Sequence, residues 1–137
     1  MGRNMFSPLR GPWANEDWKG WWGDNPPFKH PVFVLTHHPR PTLEFQNGTS
    51  FHFVNGSPEQ VLKQGQAAAG GKDVKVNGGV STVRAFWKAW LLDELHLVMS
   101  PVFVGEGERL LGGLGVAKDG FQIEQSCRLR RRHTLNR

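Results

Sequence analysis

Short apolar runs and helical stripes alternate along most of the chain. Val32-Phe33-Val34-Leu35 is a continuous run of β-branched and aromatic residues. A run this short predicts a strand buried on both faces. Thr36-His37-His38-Pro39-Arg40-Pro41 breaks it, because its two prolines have no N–H to give to a strand ladder. Ser50-Phe51-His52-Phe53-Val54 predicts a second strand, and Asn55-Gly56-Ser57-Pro58 turns out of it. Ser57 as N-cap, Pro58 at the first helical position and Glu59-Gln60 in the first turn predict a helix that runs to about Ala69 and stops at Gly70-Gly71. Asp73-Val74-Lys75-Val76-Asn77 predicts a third strand. Val80, Val83, Trp87, Trp90 and Leu91 then fall on one helical stripe, closed by Leu92-Asp93-Glu94. Leu95-His96-Leu97-Val98-Met99 predicts a fourth strand, with Val102-Phe103-Val104 beyond Pro101. Two more are expected near Phe121–Cys127 and Leu129–Leu135.

Ahead of these elements, Ser7 to Pro31 is dense in Gly, Pro, Trp and Asn, with no sustained period. It reads as a long loop, and its tryptophans argue that it is ordered. The order of elements predicts an α/β domain over residues 1–137, with a mainly parallel sheet and an antiparallel C-terminal edge.

Composition narrows the function. The chain has 137 residues, enough for one domain with a real core. Its net charge is +5. Arg128, Arg130, Arg131, Arg132 and Arg137 lie in the final segment, and without them acidic and basic side chains balance. The body is therefore not a basic surface, and nucleic acid is disfavoured as a partner. A single cysteine, Cys127, excludes an internal disulfide and a multi-cysteine metal site. No apolar run approaches the roughly 20 residues of a membrane helix, and the first ten residues lack a secretory layout. The expectation is a cytoplasmic protein without a membrane partner.

The motif with most chemical content is Val76-Asn77-Gly78-Gly79-Val80-Ser81-Thr82. A strand ends, two glycines turn the chain, and a helix begins. Without Cβ atoms a ligand can approach the backbone closely. The free N–H groups and the dipole at a helix start favour phosphate. Ser81 and Thr82 cap the helix or sit in its first turn. The motif is neither a G-x-G-x-x-G fingerprint nor a Walker loop, and alone it is more often a tight connection. Gly2-Arg3-Asn4 offers a second anion contact through the Arg3 fork, although a terminal arginine is ordinarily solvated. Thr36-His37-His38 follows a strand. Adjacent side chains in an extended segment point opposite ways, which argues against a metal but leaves a ribose or its phosphate as a partner. Glu16, Asp17 and Asp24 lie in the tryptophan-rich loop, and none stands out as a catalytic acid. Trp13, Trp18, Trp21 and Trp22 either stack on a flat substrate or pin the loop to the core.

Taken together, Met1-Gly2-Arg3-Asn4-Met5-Phe6, Val32–Thr36, Asp73–Gly79, Leu91–Leu97 and Pro101–Gly107 resemble the dihydrofolate reductase family. The resemblance is to the branch that includes the reductase domain of bacterial riboflavin-biosynthesis deaminase/reductases. It implies a three-layer fold and an NADPH-dependent reductase acting on a small heterocyclic, pyrimidine-like substrate, and it is compatible with a homodimer. It places Gly2, Arg3 and Asn4 on cofactor phosphate and Thr36 and His37 at the adenosine 2′-phosphate. Asn77, Gly78, Gly79, Val80, Ser81 and Thr82 would hold the pyrophosphate. It also implies a strand and helix ahead of the Gly2-Arg3 block, where this chain starts. The expectation is an N-terminally truncated fold, poorly stable alone and weakly active. A non-catalytic nucleotide-binding relative is the alternative.

Overall fold

The structure, a computed structural model, describes residues 1–14, 17–100 and 102–114. The expected strands near 121–127 and 129–135, Cys127, the arginine-rich tail and Glu16 lie outside the described residues. The described elements are α1 (Arg3–Phe6), β1 (Pro31–Leu35), β2 (Leu43–Glu44), β3 (Ser50–Val54), α2 (Pro58–Ala69) and α3 (Val80–Lys88). They form a small α/β arrangement around one mixed sheet of order β1-β3-β2. β1 and β3 are parallel with Val32 opposite Phe51 and Val34 opposite Phe53, whereas β2 is antiparallel to β3. Among the described residues Leu43–Glu44 forms an antiparallel edge; the expected C-terminal edge lies outside them. The parallel pair is joined by residues 36–49 rather than by a helix.

Alternation along the strands creates the core. Val32, Val34, Phe51 and Phe53 are buried together with Met1 and Phe6. Phe6 packs edge-on against Phe51 and Phe53, with ring centroids 5.0 and 5.1 Å away. The tryptophan-rich loop covers this cluster. The Trp22 ring stacks on Phe51 at 5.7 Å, and Trp18 Nε1 donates to the Phe6 carbonyl at 3.0 Å. Polar ties fix the loop's far end: Thr49 Oγ1 accepts from Lys29 N–H at 2.9 Å and donates to the Pro26 carbonyl at 3.3 Å. Pinning therefore accounts for Trp13, Trp18 and Trp22, which are partly buried against the core, while Trp21 remains 57% exposed.

α2 forms where the local chemistry puts it. Ser57 N–H donates to Gln60 Oε1 at 2.9 Å, and Gln60 N–H donates to Ser57 Oγ at 3.4 Å, a complete capping box. Gly70 ends the helix in the left-handed region at φ 58°. α2 packs on β1 and also meets α3.

Three expectations need correction. The segment Asp73–Asn77 carries no strand ladder; it lies beside α2, where a Cβ on Gly65 would come 3.2 Å from Val74 Cγ1. Leu95–Met99 and Val102–Val104 are likewise not strands, and Leu97, Val98, Met99, Val102, Phe103 and Val104 are exposed. A strand needs a partner edge as well as an apolar pattern, and neither segment has one among the described residues. Finally, α3 ends at Lys88 rather than near Glu94. Trp90 N–H donates to the Trp87 carbonyl at 3.0 Å and Leu91 N–H to the Phe86 carbonyl at 3.1 Å. These are the paired bonds of a Schellman stop, with Trp90 left-handed at φ 57°. The buried face of α3 is Thr82, Phe86 and Trp87, and Trp90 is 69% exposed.

Candidate functional site

One cleft, of about 450 Å³, collects most of the residues named from the sequence. Gly2, Arg3 and Asn4 supply one wall. Leu35, Thr36, His37 and His38 supply a second, and Gly79, Val80, Ser81 and Thr82 a third. Thr36 directly follows β1, and Val54, Asn55 and Gly56, also in the lining, close and follow β3. The cleft therefore sits at the carboxyl ends of the two parallel strands, where open α/β sheets bind ligands.

The three walls are tied together through the backbone. Gly2 N–H donates to the Gly78 carbonyl at 2.7 Å, and Leu35 N–H donates to the Met1 carbonyl at 2.9 Å. Gly78 has φ 63°, a conformation that favours glycine, and the Gly78–Gly79 peptide is cis. Gly79 is the N-cap of α3 and, as glycine, brings no side-chain cap to the helix's first N–H groups. A Cβ built on Gly79 would meet no atom within 4 Å, so open space adjoins this helix start. Ser81 and Thr82 occupy the first turn, with Ser81 exposed and Thr82 buried against Gly2. Asn77 and Gly78 do not line the cleft. Asn77 faces a second cavity, and Gly78 contributes its carbonyl to Gly2.

Arg3 is held from behind. Its Nη1 donates to the Gly11 carbonyl, and its guanidinium lies 3.9 Å above the Trp13 ring. Burial lowers its pKa from the ordinary value, but a guanidinium remains charged at any physiological pH. Nε and Nη2 are buried and have no hydrogen-bond partner among the described residues. Trp13 is itself fixed, because Nε1 donates to the His38 carbonyl at 2.6 Å and Arg40 covers its ring at 5.0 Å.

The sequence profile of the RibD C-terminal domain family matches residues 12–135. That interval covers most of the chain. This chain belongs to the RibD C-terminal domain family. Membership agrees with the resemblance to a dihydrofolate reductase-like domain of riboflavin-biosynthesis reductases, and it makes this an oxidoreductase-family domain. No curated protein matches the chain.

Within this RibD C-terminal domain, the Gly2–Asn4 wall precedes the matched interval, whereas the other two walls fall inside it. Arg10, Gly11, Asn55, Gly56 and Glu108 also line the cleft. Asn55 and Gly56 were legible, since the rule that directs attention to the end of β1 applies equally to β3. Glu108 carried no local signal. It belongs to a loop fastened to α3 by Arg84, whose Nη1 donates to the carbonyls of Arg109, Leu110 and Gly112 at 3.1, 3.1 and 2.6 Å. Asp17 and Asp24 are exposed and outside the cleft. Asp24 pairs with Lys19 at 2.8 Å, which holds its carboxyl below the usual carboxylate range and makes it a poor proton donor. Among the described residues no helix is long and apolar enough to cross a membrane.

Proposed function

We propose that this domain binds NADPH in the cleft and serves as an NADPH-dependent reductase of a small heterocyclic, pyrimidine-like compound. The convergence of Gly79–Thr82, Gly2–Asn4 and Thr36–His37 on one cleft carries the reading. The residues present suit a dinucleotide phosphate. The α3 start offers uncapped N–H groups beside open space, and Arg3 presents buried nitrogens that lack a partner. Each unsatisfied buried donor costs about 1–3 kcal/mol, which an anionic oxygen would recover. Gly79, Val80, Ser81 and Thr82 would hold the pyrophosphate, Arg3 and Asn4 would fix its orientation, and Thr36 and His37 would meet the 2′-phosphate.

When bound, NADPH supplies the hydride, and the protein contributes placement and electrostatics. The chain's own residues neutralise phosphate and exclude water from one side of the cleft. The experiment is a fluorescence titration with NADPH, repeated on Gly79→Asp. The substitution fits the open space without a clash, so the variant is expected to fold. A carboxylate there repels phosphate and is expected to abolish binding. Unchanged affinity would remove the site.

A second reading is a nucleotide-binding relative without turnover. It is favoured by the position of Asp17 and Asp24 outside the cleft, which leaves neither of those acids beside a bound ligand. NADPH binding without oxidation in the presence of pyrimidine-type substrates would select it.

A further inference from the structure

Glu108 has a charge that the rest of the cleft does not share. Arg3 and Arg10 bring guanidinium groups to the lining, and Glu108 is its one carboxylate among the described residues. The side chain is exposed and has no ion-pair partner among those residues. A carboxylate repels a neighbouring phosphate, so this side chain disfavours an anion beside it and favours a hydrogen-bond donor.

The loop that carries Glu108 is clamped in place. Arg84 lies on α3, next to the cleft-lining Ala85. Its Nη1 donates to the carbonyls of Arg109, Leu110 and Gly112, all just beyond Glu108. Bonds from a guanidinium are charge-assisted and strong. Glu108 is therefore fastened to the helix whose start frames the cleft, and it belongs to the α3 wall. Thr36 and His37 belong to a different wall, at the end of β1. The Met1-Gly2 backbone stands between the two, bonded to Leu35 on one side and to Gly78 on the other.

A dinucleotide with its bridge at Gly79–Thr82 and its 2′-phosphate toward Thr36 and His37 sends its second ribose to the α3 side. That sugar carries two adjacent free hydroxyls and no phosphate. The two oxygens of a carboxylate can accept from both hydroxyls at once. We propose that Glu108 accepts hydrogen bonds from the vicinal diol of the nicotinamide-side ribose, and so selects a whole dinucleotide over a phosphate-bearing fragment of it. The proposal rests on the NADPH reading above and adds to it the residue that recognises the sugar.

The test uses the full chain and Glu108→Gln. Glutamine keeps the length of the side chain but has one acceptor oxygen and no charge. Arg84 holds backbone carbonyls, so the clamp survives the substitution and the melting temperature should not change. Affinity is measured by calorimetry for NADPH and for adenosine 2′,5′-bisphosphate, which keeps the 2′-phosphate half and lacks the second ribose. Glu108→Gln should weaken NADPH binding about tenfold, the loss expected for a charge-assisted bond. Binding of the bisphosphate should be equal or tighter. Unchanged or tighter NADPH binding overturns the proposal, because the carboxylate is then only a repelling charge at the rim. Equal loss for both ligands also overturns it, because that marks a general change in the cleft. A wild-type chain that binds neither ligand fails the NADPH reading itself, and this proposal with it. A wild-type chain that binds both, with Glu108→Gln indifferent, fails only the assignment of Glu108.

Discussion

Gly2 is the position where a single methyl group tests the architecture of the cleft most directly. Its φ of −77° is open to any residue, so backbone strain does not require glycine there. Packing does. A Cβ on Gly2 would overlap the Thr82 hydroxyl, while lying 3.4 Å from Thr82 Cβ and 3.5 Å from the Gly78 carbonyl. Thr82 is buried on the first turn of α3, and the Gly2 N–H is bonded to Gly78. The new methyl must therefore push the α3 start away from the Gly2-Arg3 block. Overpacking of this kind costs about 1–3 kcal/mol. Gly2→Ala is expected to lose that much in urea unfolding and to weaken NADPH binding, because two walls of the cleft separate. Thr82→Ala removes the obstructing hydroxyl and leaves space for the methyl. The double variant should therefore be more stable than the sum of the singles predicts, by about 1–2 kcal/mol. Effects that add to within about 0.5 kcal/mol, as for independent sites, would refute the contact.

Further outcomes follow from local geometry. Ser57→Ala removes the capping box of α2 and should cost about 1 kcal/mol, read as a lower urea midpoint with unchanged slope. Trp90→Gly relieves a left-handed φ at an exposed position and should stabilise the chain by about 1 kcal/mol in the same assay. The Met1 amine gives a pH dependence with a fixed sign. Its pKa falls from 8.0 to about 6 on folding, so the unfolded chain binds more protons between those values. Stability should rise with pH across that window by about 2–3 kcal/mol, be fully present above pH 8, and be lost as pH falls through 6. Urea melts of the chain and of its Nα-acetylated form check this, since acetylation removes the charge and should flatten the rise.

What could be read from the sequence was what local chemistry decides. β3 and α2 were legible to the residue because alternation, an N-cap, a proline and a terminal glycine all agree there. The turn at Gly78-Gly79 and the helix start after it were legible from the glycine pair and the apolar stripe that follows it. Asp73–Asn77 and Leu95–Met99 have the composition of strands, but a ladder is a property of two segments, and their pattern said nothing about whether an edge would meet them. The end of α3 was missed because a tryptophan, rather than glycine, takes the left-handed stop. In the cleft, Gly2, Arg3, Thr36 and His37 were named as separate candidate contacts, and only a resemblance joined them into one site. Their meeting depends on the bonds from Gly2 to Gly78 and from Leu35 to Met1, which no sequence spacing expresses.

Arg3 belongs to two places at once: it lines the cleft, while one nitrogen is held on Gly11 and its flat face lies on Trp13. A ligand that draws the guanidinium forward must tug on the indole behind it. Trp13 is therefore a built-in optical reporter, and the long N-terminal loop should become harder for a protease to cut when the cleft is filled.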